Sequence, residues 1–132
     1  MSPKIIKTDA EWRAQLSDIE YQVLRLAGTE RPWTGALLDE KRAGTFTCAG
    51  CGNPVFASAD KFDSGTGWPS FTRPVAGRVG TKPDRGWLGV RTECHCGRCG
   101  GHLGHVFDDG PRPTGQRWCI NGVALGFVPA KA

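Results

Sequence analysis

Six cysteines and three histidines carry most of the chemical potential of this chain of 132 residues. Three of the cysteines and all three histidines crowd between Cys94 and Phe107, in the run Cys-His-Cys-Gly-Arg-Cys-Gly-Gly-His-Leu-Gly-His-Val-Phe. Cys96-Gly97-Arg98-Cys99-Gly100 repeats the pattern of Cys48-Ala49-Gly50-Cys51-Gly52 upstream. Two residues between cysteines let both sulfurs of a tight turn face one ion, and a glycine after each pair supplies the positive φ that closes the turn. Cys48, Cys51, Cys96 and Cys99 are therefore expected to form one four-thiolate site. Cys94 and His95 belong to no matching turn and are left outside it. Four thiolates accept zinc or iron, and ligand softness favours one structural zinc per chain.

Cys119 stands in Arg117-Trp118-Cys119-Ile120-Asn121, outside any metal spacing and near a cation. A thiolate is a nucleophile, and a neighbouring guanidinium favours it, although a buried structural thiol is the plainer alternative. On a strand, Arg117 and Asn121 would share the face of Cys119. His102 and His105, three apart, are suited to proton transfer near neutral pH, with buried hydrogen bonding as the alternative. Trp68, between Gly67 and Pro69, either walls a pocket or plugs the core.

These residues need a scaffold. With 19 Gly and 9 Pro, the chain promises many turns and little long helix. One domain over 1–132 is expected, with a short N-terminal tail over 1–7: mainly β, an antiparallel sheet or small barrel with short N-terminal helices. Thr8-Asp9-Ala10-Glu11 and Ser17-Asp18-Ile19-Glu20 each fit a capping box, so two helices should open the fold, the second ended by Gly28. Trp33 is read as core, with a pocket rim as the alternative. Thr45–Thr47 and Pro54–Ala57 should be strands flanking the first metal turn, and Trp87–Glu93 a strand delivering the second. Arg73–Gly86 reads as an exposed hairpin or loop. Another strand is expected to begin at Val106-Phe107, and Gln116–Asn121 and Val123–Val128 should finish the sheet.

The net charge of +4 is dispersed, which argues against a nucleic-acid groove. No apolar run is long enough to span a bilayer, and a leader is not evident. A cytoplasmic protein without membrane or nucleic-acid partners is the expectation, and metal rather than disulfides suits a reducing compartment.

Three blocks together, Gly67-Trp68-Pro69-Ser70-Phe71, His102-Leu103-Gly104-His105-Val106-Phe107 with Asp109-Gly110-Pro111, and Arg117-Trp118-Cys119-Ile120-Asn121, resemble the signature of the peptide-methionine (R)-S-oxide reductases, the MsrB family. Glu30-Arg31-Pro32, Lys61–Gly65 and both metal turns fit the same family in order. The resemblance implies thiol-dependent reduction of methionine-(R)-sulfoxide, free or in oxidised proteins, through a Cys119 sulfenic acid. It places the nucleophile on Cys119, proton transfer and hydrogen bonding on His105, His102 and Asn121, and substrate contacts on Trp68, with Phe71 and Arg117 beside it.

Many relatives carry a resolving cysteine where this chain has Thr66. Either Cys94 resolves Cys119, or an external thiol such as thioredoxin or a small dithiol reduces the sulfenic acid. A buried, structural Cys94 is the alternative. A zinc-ribbon-like binding module and a Cys-His-Asn hydrolase are the rival functions; neither would reduce a sulfoxide.

Overall fold

The computed structural model describes residues 4–35, 37–86 and 89–130. Its elements are two helices and nine strands: α1 (Asp9–Gln15), α2 (Asp18–Leu26), β1 (Gly44–Cys48), β2 (Pro54–Ala57), β3 (Lys61–Phe62), β4 (Ser70–Phe71), β5 (Val79–Gly86), β6 (Gly89–Cys96), β7 (His102–Phe107), β8 (Arg117–Ile120) and β9 (Leu125–Pro129). They form a three-stranded sheet, β2-β1-β9, and a six-stranded sheet, β3-β4-β8-β7-β6-β5, antiparallel throughout. The chain is mainly β, as expected, but among the described residues neither sheet closes into a barrel.

Both capping boxes form. The Thr8 hydroxyl accepts from Glu11 N–H and the Glu11 carboxylate from Thr8 N–H, and Ser17 and Glu20 repeat the exchange. At the end of α2, Ala27 rather than Gly28 takes the left-handed conformation (φ 57°), while Gly28 N–H closes onto Gln22 O. The helices are seated on the metal turns: Gln15 Nε2 donates to Gly50 O (2.6 Å), and Arg25 Nη1 donates to Cys99 O (2.9 Å) while its guanidinium covers Trp12. Residues 4–7, expected as tail, are tied down too, with Ile5 N–H donating to Arg98 O.

Aromatic rings join the two sheets. Phe71 on β4 stacks on Phe56 of β2 with centroids 4.4 Å apart and meets Phe46 of β1 edge-on at 5.1 Å. Trp118 of β8 approaches Phe56, and Val55, Cys94 and Ile120 are buried in the same core. Burial alternates along β8, Trp118 and Ile120 being buried while Arg117 and Cys119 are half-buried. That alternation turns Cys119 to the face away from the core rings.

Several sequence expectations shift. Val79–Gly86, read as part of an exposed hairpin or loop, is a strand paired along its whole length with β6. The strand expected to begin at Val106-Phe107 ends at Phe107 instead; β7 starts at His102, so both His102 and His105 are strand residues. Trp33 is 64% exposed with a positive φ of 70° and stands at the rim of a surface pocket, the alternative to the core reading. Trp87 and Leu88, the expected start of the β6 strand, lie outside the described residues.

Candidate active site

The metal turns are the tips of two hairpins, one in each sheet. Cys48 to Cys51 joins β1 to β2, and Cys96 to Cys99 joins β6 to β7. Each turn closes by a glycine N–H to a cysteine carbonyl, Gly52 to Cys48 O (2.8 Å) and Gly100 to Cys96 O (2.9 Å), with φ of 79° and 76° at the two glycines. The four sulfurs lie within 4.8 Å of one another. Cys48 Sγ is 3.7 Å from Cys99 Sγ, and Cys51 Sγ is 3.6 Å from Cys96 Sγ. Zinc–sulfur bonds of about 2.3 Å in a tetrahedron require sulfurs roughly 3.8 Å apart, so the cluster fits a metal ion. N–H groups of Asn53, Arg98 and Gly101 point at the Cys96 and Cys99 sulfurs, as thiolates need.

The second turn runs directly into β7 and therefore sets where His102 and His105 stand. His105 is paired with Cys119 across β7 and β8. Ser70 is the partner of Cys119 on the other side, and Glu93 is the partner of His105. One row across the sheet thus reads Ser70, Cys119, His105, Glu93, all with side chains on one face.

That row borders a cavity of about 280 Å³ lined by Thr66, Trp68, His105, Arg117, Cys119 and Asn121 among others. It has room for one side chain rather than a large cofactor. None of the four clustered cysteines lines it.

Each wall is held in place by identifiable partners. Trp68 Nε1 donates to Glu30 O (3.0 Å). Gly67 before it has φ 91°, and a Cβ there would stand 2.7 Å from Pro32 Cβ, so only glycine lets the indole approach this way. Asn121 accepts from Glu30 N–H (2.9 Å) and donates to Leu103 O (3.0 Å). Both ends of its amide are already engaged, which makes it a brace across the cavity floor. The buried Glu30 carboxylate accepts from Gly122 N–H (2.7 Å) and Val123 N–H (2.9 Å) at the start of the 3-10 turn Gly122–Ala124. Glu30 therefore positions Trp68 and Asn121 together, a role that the sequence did not reveal.

His105 Nε2 lies 2.8 Å from Asp84 Oδ2 on β5. A carboxylate only accepts, so the proton sits on Nε2 and leaves Nδ1 for proton exchange. This hydrogen bond, with help from His105 and Arg91 charge, holds Asp84 below the usual carboxylate range. His102 is buried, with Nδ1 3.2 Å from Glu93 Oε1 but off the angle of a hydrogen bond. Burial pushes its imidazole below the ordinary value, and the Glu93 carboxylate pulls the other way.

Burial pushes the Cys119 thiol above its ordinary value; the nearby Thr66 hydroxyl and the Arg117 guanidinium lower it without overcoming that cost. Arg117 is itself committed to Asp109, at 2.9 and 3.2 Å, and covers the Phe107 ring. Its help to the thiolate is correspondingly limited.

Two sequence expectations lose their place at the site. Phe71, expected beside the substrate, is fully buried among Phe46 and Phe56 and does not line the cavity. Cys94, offered as a resolving residue, pairs with Gly104, which pairs with Ile120, so its row faces the core while the Cys119 row faces the cavity. Strands β6 and β8 are also separated by β7, which puts the two backbones roughly 10 Å apart. A disulfide needs Cα atoms within about 7 Å, so a Cys94–Cys119 bridge would require the sheet to open.

A half-buried thiol opposite an imidazole lies in a cavity walled by an indole, apart from a four-cysteine cluster that could hold a metal ion, and this is the layout of an enzyme. Residues 16–129 match the SelR domain model. The chain is 52% identical over 128 residues to the peptide methionine sulfoxide reductase MsrB of Hahella chejuensis, covering 96% of this chain and 92% of that one. The protein of the same name from Bradyrhizobium diazoefficiens is 54% identical over 127 residues (96% and 91%), and that of Methanosarcina mazei 52% over 126 residues (95% and 90%). The chain belongs to the MsrB family of oxidoreductases.

Proposed function

We propose that this enzyme reduces methionine-(R)-sulfoxide, free or in oxidised proteins, to methionine. The observation that carries the reading is the direct cross-strand pairing of His105 with Cys119 in a cavity walled by Trp68. A sulfoxide sulfur becomes electrophilic as its oxygen is protonated, so nucleophile and acid must reach the two ends of one S–O bond. The Cys119 thiolate attacks sulfur while His105, in its protonated form, gives a proton to the oxygen from Nδ1. The protonated oxygen then passes from the methionine sulfur to the Cys119 sulfur as the bonds from that methionine sulfur to Cys119 and to oxygen both break: one electron pair stays on the departing methionine, and the other forms the S–O bond of the Cys119 sulfenic acid. Trp68 receives the methyl group, and handedness at sulfur then decides whether the oxygen meets His105.

Two electrons must come from outside. Cys94 faces the core and the other four cysteines form the cluster, so one external thiol condenses with the sulfenic acid, releasing water, and a second thiol frees Cys119 as a disulfide departs. Thioredoxin or a small dithiol in the cytoplasm suits this need. Cys48, Cys51, Cys96 and Cys99 would hold a zinc ion, whose chemistry is to tie the hairpin tips together. No helix among the described residues is long and apolar enough to cross a membrane.

The test is intact mass and cysteine mapping after mixing reduced enzyme with one equivalent of methionine-(R)-sulfoxide and no reductant. One oxygen gained at Cys119 with release of methionine is expected, and the (S) epimer should leave the enzyme unchanged. An unmodified enzyme after exposure to the (R) epimer would overturn the reading.

A further inference from the structure

The cavity face of the six-stranded sheet carries two carboxylates beside its two histidines. Pairing across β5, β6 and β7 aligns Lys82, Glu93 and His105 in one row, with Asp84 and Arg91 opposed two residues along. Alternation by two puts all five on the same face. Glu93 is the direct cross-strand partner of His105, yet the imidazole does not turn to it. His105 Nε2 reaches past β6 to Asp84 Oδ2 on β5, at 2.8 Å. Backbones two strands apart lie roughly 10 Å from one another, a gap that a histidine and an aspartate close only by extending towards each other over β6.

Glu93 is taken up elsewhere. It is buried, and its Oε1 lies 3.2 Å from His102 Nδ1 and 4.0 Å from Lys82 Nζ. Asp84 Oδ2 instead receives two donors, His105 Nε2 and, at 3.2 Å, Arg91 Nη2. Arg91 also lines the cavity, and the remaining charged pair beside Cys119, Arg117 with Asp109, is joined by two hydrogen bonds of its own. Glu93 with His102 and Asp84 with His105 are therefore separate couples. We infer that Asp84 is the positioning residue for His105: it holds the ring and fixes the proton on Nε2, so that Nδ1 is the nitrogen through which His105 exchanges protons.

This deepens the reductase reading and rests on it for its purpose. An imidazolium carries a proton on each nitrogen and can release either. Release from Nε2 would leave a nitrogen lone pair facing a carboxylate oxygen at 2.8 Å, two acceptors with no hydrogen between them. Release from Nδ1 keeps the bond to Asp84, which is charge-assisted whether the ring is neutral or cationic. The proton given to the sulfoxide oxygen is thus the one on Nδ1, and the Nε2 proton stays throughout. Asp84 does not line the cavity, so it acts on the substrate through His105 alone.

The experiment records long-range proton–nitrogen NMR spectra of metal-loaded protein labelled at its histidine nitrogens, without substrate and in mildly alkaline solution, where imidazoles are neutral. The His105 signals, assigned by their loss in His105→Asn, are expected to show hydrogen on Nε2 alone in the parent. Asp84→Ala should give a mixture of the two tautomers, and Asp84→Asn, whose amide oxygen still accepts, should restore the Nε2–H form. Glu93→Gln should leave the His105 signals as in the parent. In single turnovers of methionine-(R)-sulfoxide, Asp84→Ala should slow the rate at saturation roughly tenfold with the half-saturating concentration unchanged, because a misdirected acid impairs proton transfer and not binding. An unaltered Nε2–H signature or an unaltered saturating rate in Asp84→Ala, or a tautomer change in Glu93→Gln, would overturn the inference. Asp84 is partly exposed on the outermost strand of its sheet, which favours folding of the variants. Should Asp84→Ala fail to fold, Asp84→Val, with a better strand former, asks the same question. The spectra require no sulfoxide, so the expected tautomer change in a protein that reduces none would sustain the hold of Asp84 on His105 and remove only the reductase reading.

Discussion

His105 and Cys119 are held opposite one another by the β7–β8 ladder, so main-chain pairing and not a side-chain contact sets the distance between the proposed acid and the proposed nucleophile. Directly opposed residues keep their Cβ atoms about 5 Å apart, which leaves room for an S–O bond between the two side chains. Replacing His105 by Asn should leave the ladder intact and remove the proton donor. Single-turnover reduction of methionine-(R)-sulfoxide is expected to slow by about a hundredfold or more. Loss of substrate affinity with an unchanged rate at saturation would assign His105 to binding instead.

Glu30 is the other residue on which the cavity depends. Its carboxylate is the shared acceptor for Gly122 and Val123, and its backbone holds Trp68 and Asn121. Glu30→Ala leaves two buried N–H groups without partners, at a cost of about 3 kcal/mol of stability. The urea midpoint should fall accordingly, and KM should rise because the indole wall loosens. Glu30→Gln keeps one acceptor and should lose roughly half as much.

The contrast between Glu30 and the metal ligands explains what could be read in advance. A Cys-x-x-Cys-Gly turn is local, so four ligands were visible from spacing alone. The carboxylate of Glu30 answers to N–H groups 92 and 93 residues away, which no local pattern announces. Asp84 was hidden because Arg73–Gly86 carries turn residues, yet β6 recruits its second half into a strand. Phe71 misled because it follows Trp68 in an aromatic loop. Only the pairing of Ser70 with Cys119 shows that its neighbour Phe71 must face the core.

Cys94 should prove dispensable for turnover. Burial pushes its thiol far above the ordinary value, so it is neither nucleophilic nor within reach of Cys119. Cys94→Ala is expected to retain cycling with an external dithiol and to lose about 1 kcal/mol of stability for the missing sulfur in the core. A Cys94–Cys119 disulfide in peptide maps of the parent enzyme after one turnover would show that the sheet opens during the reaction.

His102 should make stability depend on mildly acidic pH. Its folded-state value is depressed below 6.5, chiefly by burial. A depressed value means that the unfolded chain takes up the proton first, so the stabilisation is complete above the unfolded value and is lost as pH falls towards the folded one. Urea midpoints should therefore decline from about pH 6.5 downward, and the decline should be shallower in His102→Asn. The difference between the two proteins isolates this histidine, since any acid-driven metal loss is common to both. Parallel curves would remove His102 from the account.

Metal removal should disable the enzyme although no cluster cysteine lines the cavity. The four sulfurs join the tip of β1–β2 in one sheet to the tip of β6–β7 in the other, and α1 and α2 rest on the same turns. Without an ion, closely packed thiolates repel and the tips lose their common anchor. Since β7 begins at His102, three residues after Cys99, slackening there displaces His102 and His105 relative to Cys119. Binding energies of structural zinc sites run to about 10 kcal/mol or more, comparable with the whole stability of a small domain. A strong chelator is expected to lower Tm sharply and to abolish sulfoxide reduction, with both recovered on adding zinc. Cys48→Ser should behave as the chelated protein does, and a metal-free protein with unchanged Tm would mean that the aromatic contacts between the sheets suffice.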